Sequence, residues 1–219
     1  MDEFISGRPA AGGRWTWAAL AALPVAYVAV TLVLRAHTMP FWLWHNLDPD
    51  YFYLLDSLNI LNLTTPGHVY HPGTTVQWLG ALVLKAAYPF TGSGEITGAV
   101  LADPERHLRL IGTVIMALNG GALYVLGLVV LAVFRAPAPA LIAQTAPFLS
   151  MIVLKHGLHV KPEALLVLAT LMLATVTVLA LRPGALERRG IALAIAFGVV
   201  AGFGVATKIT AAPKPRPTE

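Results

Sequence analysis

The chain has 219 residues, 57% hydrophobic and 12% charged, with a mean hydropathy of +0.70, and these values exclude an ordinary soluble domain. The absence of cysteine excludes a disulfide framework and any thiolate metal site. The net charge of +4 comes from Lys and Arg spread over predicted helix ends rather than gathered in one stripe, a pattern of interfacial anchoring and not of nucleic-acid binding.

Residues 15–34 form an uninterrupted apolar run, and about 20 such residues cross roughly 30 Å of hydrocarbon as a helix. Arg8 and Arg14 precede the run, so the positive-inside tendency puts the N-terminus in the cytoplasm. No small-residue cleavage site follows before Arg35, which argues against a cleaved signal peptide. Further apolar runs are 108–134, 141–154, 164–181 and 191–207, of which the run at 141–154 is short and holds Pro147. The expectation is an all-α polytopic membrane protein with about five transmembrane helices.

Residues 35–107 separate the first two runs and are polar and aromatic. Within them, 50–62 predicts a juxtamembrane helix with Asp48 as N-cap, Pro49 at its start and an apolar stripe of Tyr51, Leu54, Leu55, Leu58 and Leu61. Residues 74–90 predict a second helix, lying in the interface. Gln77 and Lys85 suit that placement, and a crossing here would turn Arg182, Arg188 and Arg189 outward, against the positive-inside tendency. With 74–90 in the interface, Arg8, Arg14, Arg135, Arg182, Arg188 and Arg189 face the cytoplasm. All seven histidines then face outward, together with Asp48, Asp50, Asp56, Glu95, Asp103, Glu105 and Glu163, so any site is expected on the outer side. Residues 1–210 read as one transmembrane domain and 211–219 as a Pro-rich polar tail.

Four places on that side can carry chemistry. Asp48-Pro49-Asp50 offers two carboxylates that can act as a base, hold a divalent cation or simply cap a helix. Residues 67–75, Gly-His-Val-Tyr-His-Pro-Gly-Thr-Thr, form an imidazole-bearing turn able to donate to a phosphate. His68 and His71 alone are too few for a tetrahedral zinc site. His156 to Glu163 ends in Lys161-Pro162-Glu163, where proline and the acid fit a helix start. Glu163 can equally hold an amino or hydroxyl group of a substrate. Lys208 closes the last apolar run after Thr207 and is either a snorkelling anchor or a point charge for a lipid phosphate.

In their order along the chain these places resemble the polytopic GT-C glycosyltransferases, particularly the branch containing protein O-mannosyltransferases and the lipid A aminoarabinose transferase. The residues that carry the likeness are Asp50, His71-Pro72, Lys161-Pro162-Glu163 and Thr207-Lys208. The resemblance implies transfer of a sugar from a polyprenyl-phosphate donor to a lipid, glycan or protein acceptor, on the extracytoplasmic face of a bacterial inner or plasma membrane. It implies that Asp50 deprotonates the acceptor, that His71 and Lys208 contact the donor phosphate, and that Glu163 orients one of the two substrates. Asp48 and Lys161 stand beside these residues as further substrate-binding candidates. Tyr70 and Gly73 depart from a turn that in the family often carries an acid or a second proline. Family members continue through several more spans, whereas Pro213, Pro215 and Pro217 cannot continue a helix, so the resemblance implies the N-terminal part of a longer enzyme.

Two other readings stand beside it. In a transporter or channel fragment, Asn119-Gly120-Gly121 and Gln144-Thr145 would line a path, although small and polar residues in spans more often serve packing. A non-catalytic assembly protein would have no need of acids and imidazoles gathered on one side. No cofactor is called for beyond a divalent cation that Asp48 and Asp50 leave open, and no nucleic acid is expected as a partner.

Overall fold

The structure is a computed structural model, and it describes residues 14–41, 50–67 and 74–208. Among the described residues all regular structure is helical: α1 (Arg14–Ala36), α2 (Asp50–Leu61), α3 (Thr74–Ala87), α4 (Ser93–Ala102), α5 (Pro104–Phe134), α6 (Pro137–Gln144), α7 (Met151–His156), α8 (Pro162–Ala180) and α9 (Ala185–Thr207). Four helices are long and apolar enough to cross a membrane: α1 over Thr16–Ala36, α5, α8 and α9. Asp48, the turn His71-Pro72-Gly73 and the Pro-rich tail lie outside the described residues.

Helix α5 is the axis of the bundle, packed on α8, α6 and α1, and α9 packs along α8. Its start is well specified. Asp103 accepts a hydrogen bond from the Arg106 backbone N–H and Pro104 opens the first turn, where a missing N–H has no consequence. Its end is a left-handed Arg135, whose N–H closes onto the Leu131 carbonyl.

The short apolar run at 141–154 is not one helix. It divides into α6, a 3₁₀ turn over Ala146–Leu149 that contains Pro147, and α7. Proline removes an N–H and crowds the preceding turn, which breaks the ladder there. The broken segment nevertheless climbs. Gln144 at its lower end donates to the carbonyls of Leu20 in α1 and Leu123 in α5, while Gly157 just past its upper end packs on Tyr27 and Thr31 of α1. At 1.5 Å per residue, Leu20 and Thr31 are about 16 Å apart along α1. Gln144 and Asn119, whose amide donates to the Ala164 carbonyl, are fully buried and tie helices together rather than line an open path.

Between α1 and α5 the described chain forms three short helices where two were expected; α4 is the addition. The buried face of α2 also differs from the predicted stripe. Leu54 and Leu58 are buried as expected, but Leu55 is 43% exposed, and Tyr53 and Ser57 take the inner positions. The reason is α3. Gly80 offers no side chain, and the Ser57 hydroxymethyl group fills the space a Cβ there would need. Close approach at a glycine thus selected the buried face over hydropathy.

Candidate functional site

Several separate stretches of chain meet at the end of the bundle where α1 finishes and α5 and α8 begin. Asp50 is the first residue of α2 and its side chain is fully buried. Its Oδ1 accepts from the Val160 backbone N–H at 2.6 Å. His159 Nδ1 lies 3.1 Å from Oδ1 and 3.0 Å from Oδ2. A carboxylate only accepts, so this nitrogen carries the hydrogen and Nε2 becomes the basic atom of the ring. Phe41 closes the pocket, its ring set edge-on to His159 with centroids 5.6 Å apart and capped on the other side by the Arg35 guanidinium at 3.6 Å.

Arg35 belongs to a second layer. Its NH2 lies 3.7 Å from Glu105 Oε2, and Tyr51 donates its hydroxyl to Glu105 Oε1 at 3.2 Å. Burial, reinforced by the Glu105 charge, pushes the Tyr51 phenol up to about 12, so it stays a neutral donor at any ordinary pH.

The segment that carries His159 and Val160 is held in place by a glycine. Gly112 of α5 lies directly under the Leu158 carbonyl, and a Cβ at that position would collide with its oxygen. Beyond Val160, Lys161 is 2% exposed, and Pro162 and Glu163 open α8. Glu163 pairs with Lys208, which follows the last residue of α9, so the two ends of the α8–α9 hairpin close on one another. Thr75 at the start of α3 donates to Thr207 at 2.9 Å, which brings the entry of α3 to the same corner.

Glu163 Oε2 and His156 Nδ1 are buried here and make no hydrogen bond among the described residues. Such atoms are rare in native proteins and mark places where a water or ligand is held. Burial, with the neighbouring His159 and Lys161, pushes the His156 imidazole below the ordinary histidine value. It is therefore neutral at pH 7 and its Nδ1 can donate or accept.

Of the site residues expected from sequence, the structure brings Asp50, Lys161, Glu163 and Lys208 to one corner, and Asp48 and His71 lie outside the described residues. Sequence reasoning placed His159 in a candidate segment but gave it no part in the chemistry. Its partnership with Asp50 spans 109 positions, and no local pattern signals it. Asp56 also went unassigned. It accepts from the Gly67 N–H at 2.7 Å and from Gln77 Nε2 at 2.8 Å, fastening the loop after α2 to α3. Among the described residues no three His, Asp or Glu side chains converge as a metal ion would need. Comparison with family models, with characterised proteins and with solved structures gives no match.

Proposed function

We propose that this corner is the active site of a membrane glycosyltransferase of GT-C type, moving a sugar from a polyprenyl phosphate to an acceptor hydroxyl or amine on the extracytoplasmic face. The observation that carries the reading is the buried Asp50–His159 couple at the same end of the bundle as the Glu163–Lys208 pair. An inverting transfer from a glycosyl phosphate needs a base for the acceptor, a cation for the leaving phosphate and little else. In this reading His159 Nε2 takes the acceptor proton, Asp50 holds the ring in the required tautomer and stabilises the imidazolium, the acceptor oxygen or nitrogen bonds to the anomeric carbon, and the bond to the phosphate breaks. Lys208 meets the leaving phosphate, the partner that the resemblance also gives to His71. Glu163 Oε2 and His156 Nδ1 hold sugar or acceptor hydroxyls.

The same reading assigns the broken run at 141–154 as a fifth crossing and sets α2, α3 and α4 at the outer surface of a bacterial inner or plasma membrane. With α3 outside the bilayer, Arg135, Arg182, Arg188 and Arg189 face the cytoplasm, as the positive-inside tendency requires.

The test is turnover by the full chain in proteoliposomes supplied with a panel of radiolabelled short-chain polyprenyl-phosphate sugars, reading release of the polyprenyl phosphate. Asp50→Asn and His159→Gln are each expected to lower kcat by at least about 10²-fold, the usual range of general-base catalysis, with donor binding retained. Lys208→Gln is expected to raise KM for the donor. A fully active Asp50→Asn variant, or a wild-type chain inert on every donor, contradicts the reading. A dead Asp50→Asn beside an active His159→Gln moves the base role to Asp50 itself.

A further inference from the structure

At the opposite end of the bundle, the turn between α8 and α9 carries three arginines around one cleft of about 260 Å³, lined by Arg182, Arg188 and Arg189 with Leu179 and Leu193 below them. Among the described residues no acid lines it. The three cations are not equivalent. Arg188 folds back on the turn, its Nε donating to the Gly184 carbonyl at 3.1 Å and its NH2 to the Pro183 carbonyl at 3.2 Å. Gly184 is left-handed, with φ at 69°, and leaves room for that guanidinium, which lies where a Cβ would project. Arg188 is thus a structural brace that still presents positive charge to the cleft. Arg189 has φ −137° and ψ 19°, a kink inside α9, and this departure from helical geometry lets successive arginines face one cleft instead of diverging around the helix by about 100°.

The surroundings are apolar and open. Leu181, Leu186 and Ile191 flank the turn with 63%, 61% and 81% of their surfaces exposed. In water this collar would be a liability, and at a bilayer surface it is the natural contact for acyl chains. Cations around a concave cleft, with leucines and isoleucine beneath and beside them, match one molecule with a negative head and an apolar tail.

We infer that the α8–α9 turn is a binding site for the phosphate head of an anionic glycerophospholipid in the adjacent leaflet, with Arg182 and Arg189 as the phosphate contacts and Arg188 as the brace that shapes the cleft. Planar guanidinium groups suit phosphate oxygens through paired donors. The inference is independent of the transferase reading, since none of these residues takes part in it. It differs from general interfacial anchoring, because anchoring depends on charge near the surface and not on which arginine supplies it.

The experiment is native mass spectrometry of the full chain in detergent, titrated with phosphatidylglycerol and, separately, with phosphatidylcholine. A basic residue that meets the lipid headgroup contributes about fivefold in affinity for an anionic lipid. The expected result is therefore tight retention of one phosphatidylglycerol, weakened roughly 25-fold in Arg182→Gln/Arg189→Gln. Arg135→Gln, which removes an exposed charge outside the cleft, is expected to bind as the wild type. Thermal midpoints measured on the same samples are expected to agree, so that loss of lipid is not loss of fold. Equal weakening in Arg135→Gln, unchanged binding in the double variant, or equal retention of phosphatidylcholine overturns the inference. Displacement of the lipid by low-millimolar inorganic phosphate also overturns it, because the ligand would then be a soluble phosphate.

Discussion

At one end of the bundle, Asp50, His159, Glu163 and Lys208 come from three separate stretches, and the Asp50–His159 couple at their centre is buried. At the other, Arg182, Arg188 and Arg189 come from a single turn and are exposed, and Arg188 donates to the carbonyls of that same turn. Both ends are strongly polar, yet only the first depends on the whole fold. The proposed proton-transfer couple needs a fixed geometry away from water, whereas the inferred cleft for a lipid head needs accessible charge and one local brace. Polar groups buried by long-range contacts should respond sharply to packing changes, and polar groups on an exposed turn should not.

The largest effect that would sharpen this contrast is expected from Gly112→Ala. The new methyl group has to displace the Leu158 carbonyl and with it His159, so a loss of about 1–3 kcal/mol is expected. Thermal unfolding in detergent checks it, and Gly190→Ala beside the arginine turn, where a Cβ meets nothing within 4 Å, is expected to stay within about 0.5 kcal/mol of wild type. Equal shifts for the two would break the contrast. A smaller effect is expected from pH through His156. Its folded value is depressed by burial, so between that value and the unfolded value of about 6.5 the unfolded chain binds more protons. Stability from this group is full above about pH 6.5 and falls as the pH drops below it. Thermal midpoints at pH 7.5 and 5.5 are expected to differ more for wild type than for His156→Gln, and an identical difference in both would remove His156 from the buried corner.

How much of this was readable in the chain follows the same division. Four spans were legible because apolar runs of helix length carry their own signal, and Pro147 lay in the remaining run, at 141–154, which breaks. Asp50, Glu163 and Lys208 stood out as polar residues at the edges of those runs. The partnership of Asp50 with His159 was not legible, since nothing local distinguishes that imidazole from the six others. The buried face of α2 was misjudged at Leu55 because hydropathy does not register that Gly80 admits Ser57. Helix α4 was missed; Gly94 and Gly98 lie within it, and glycine is a weak helix former. The kink at Arg189, just before Gly190, was not read from the sequence, and it is what aims the arginines at one cleft.

The central claim is that the corner around Asp50 faces the outside of the membrane and the arginine turn faces the cytoplasm. The most direct test uses the absence of cysteine: single cysteines at Gly94 and Glu187, both exposed, labelled by a membrane-impermeant maleimide in intact cells. The account predicts labelling of Gly94→Cys without permeabilisation and of Glu187→Cys only after it. Labelling of Glu187→Cys in intact cells, or of both positions from the same side, would contradict it.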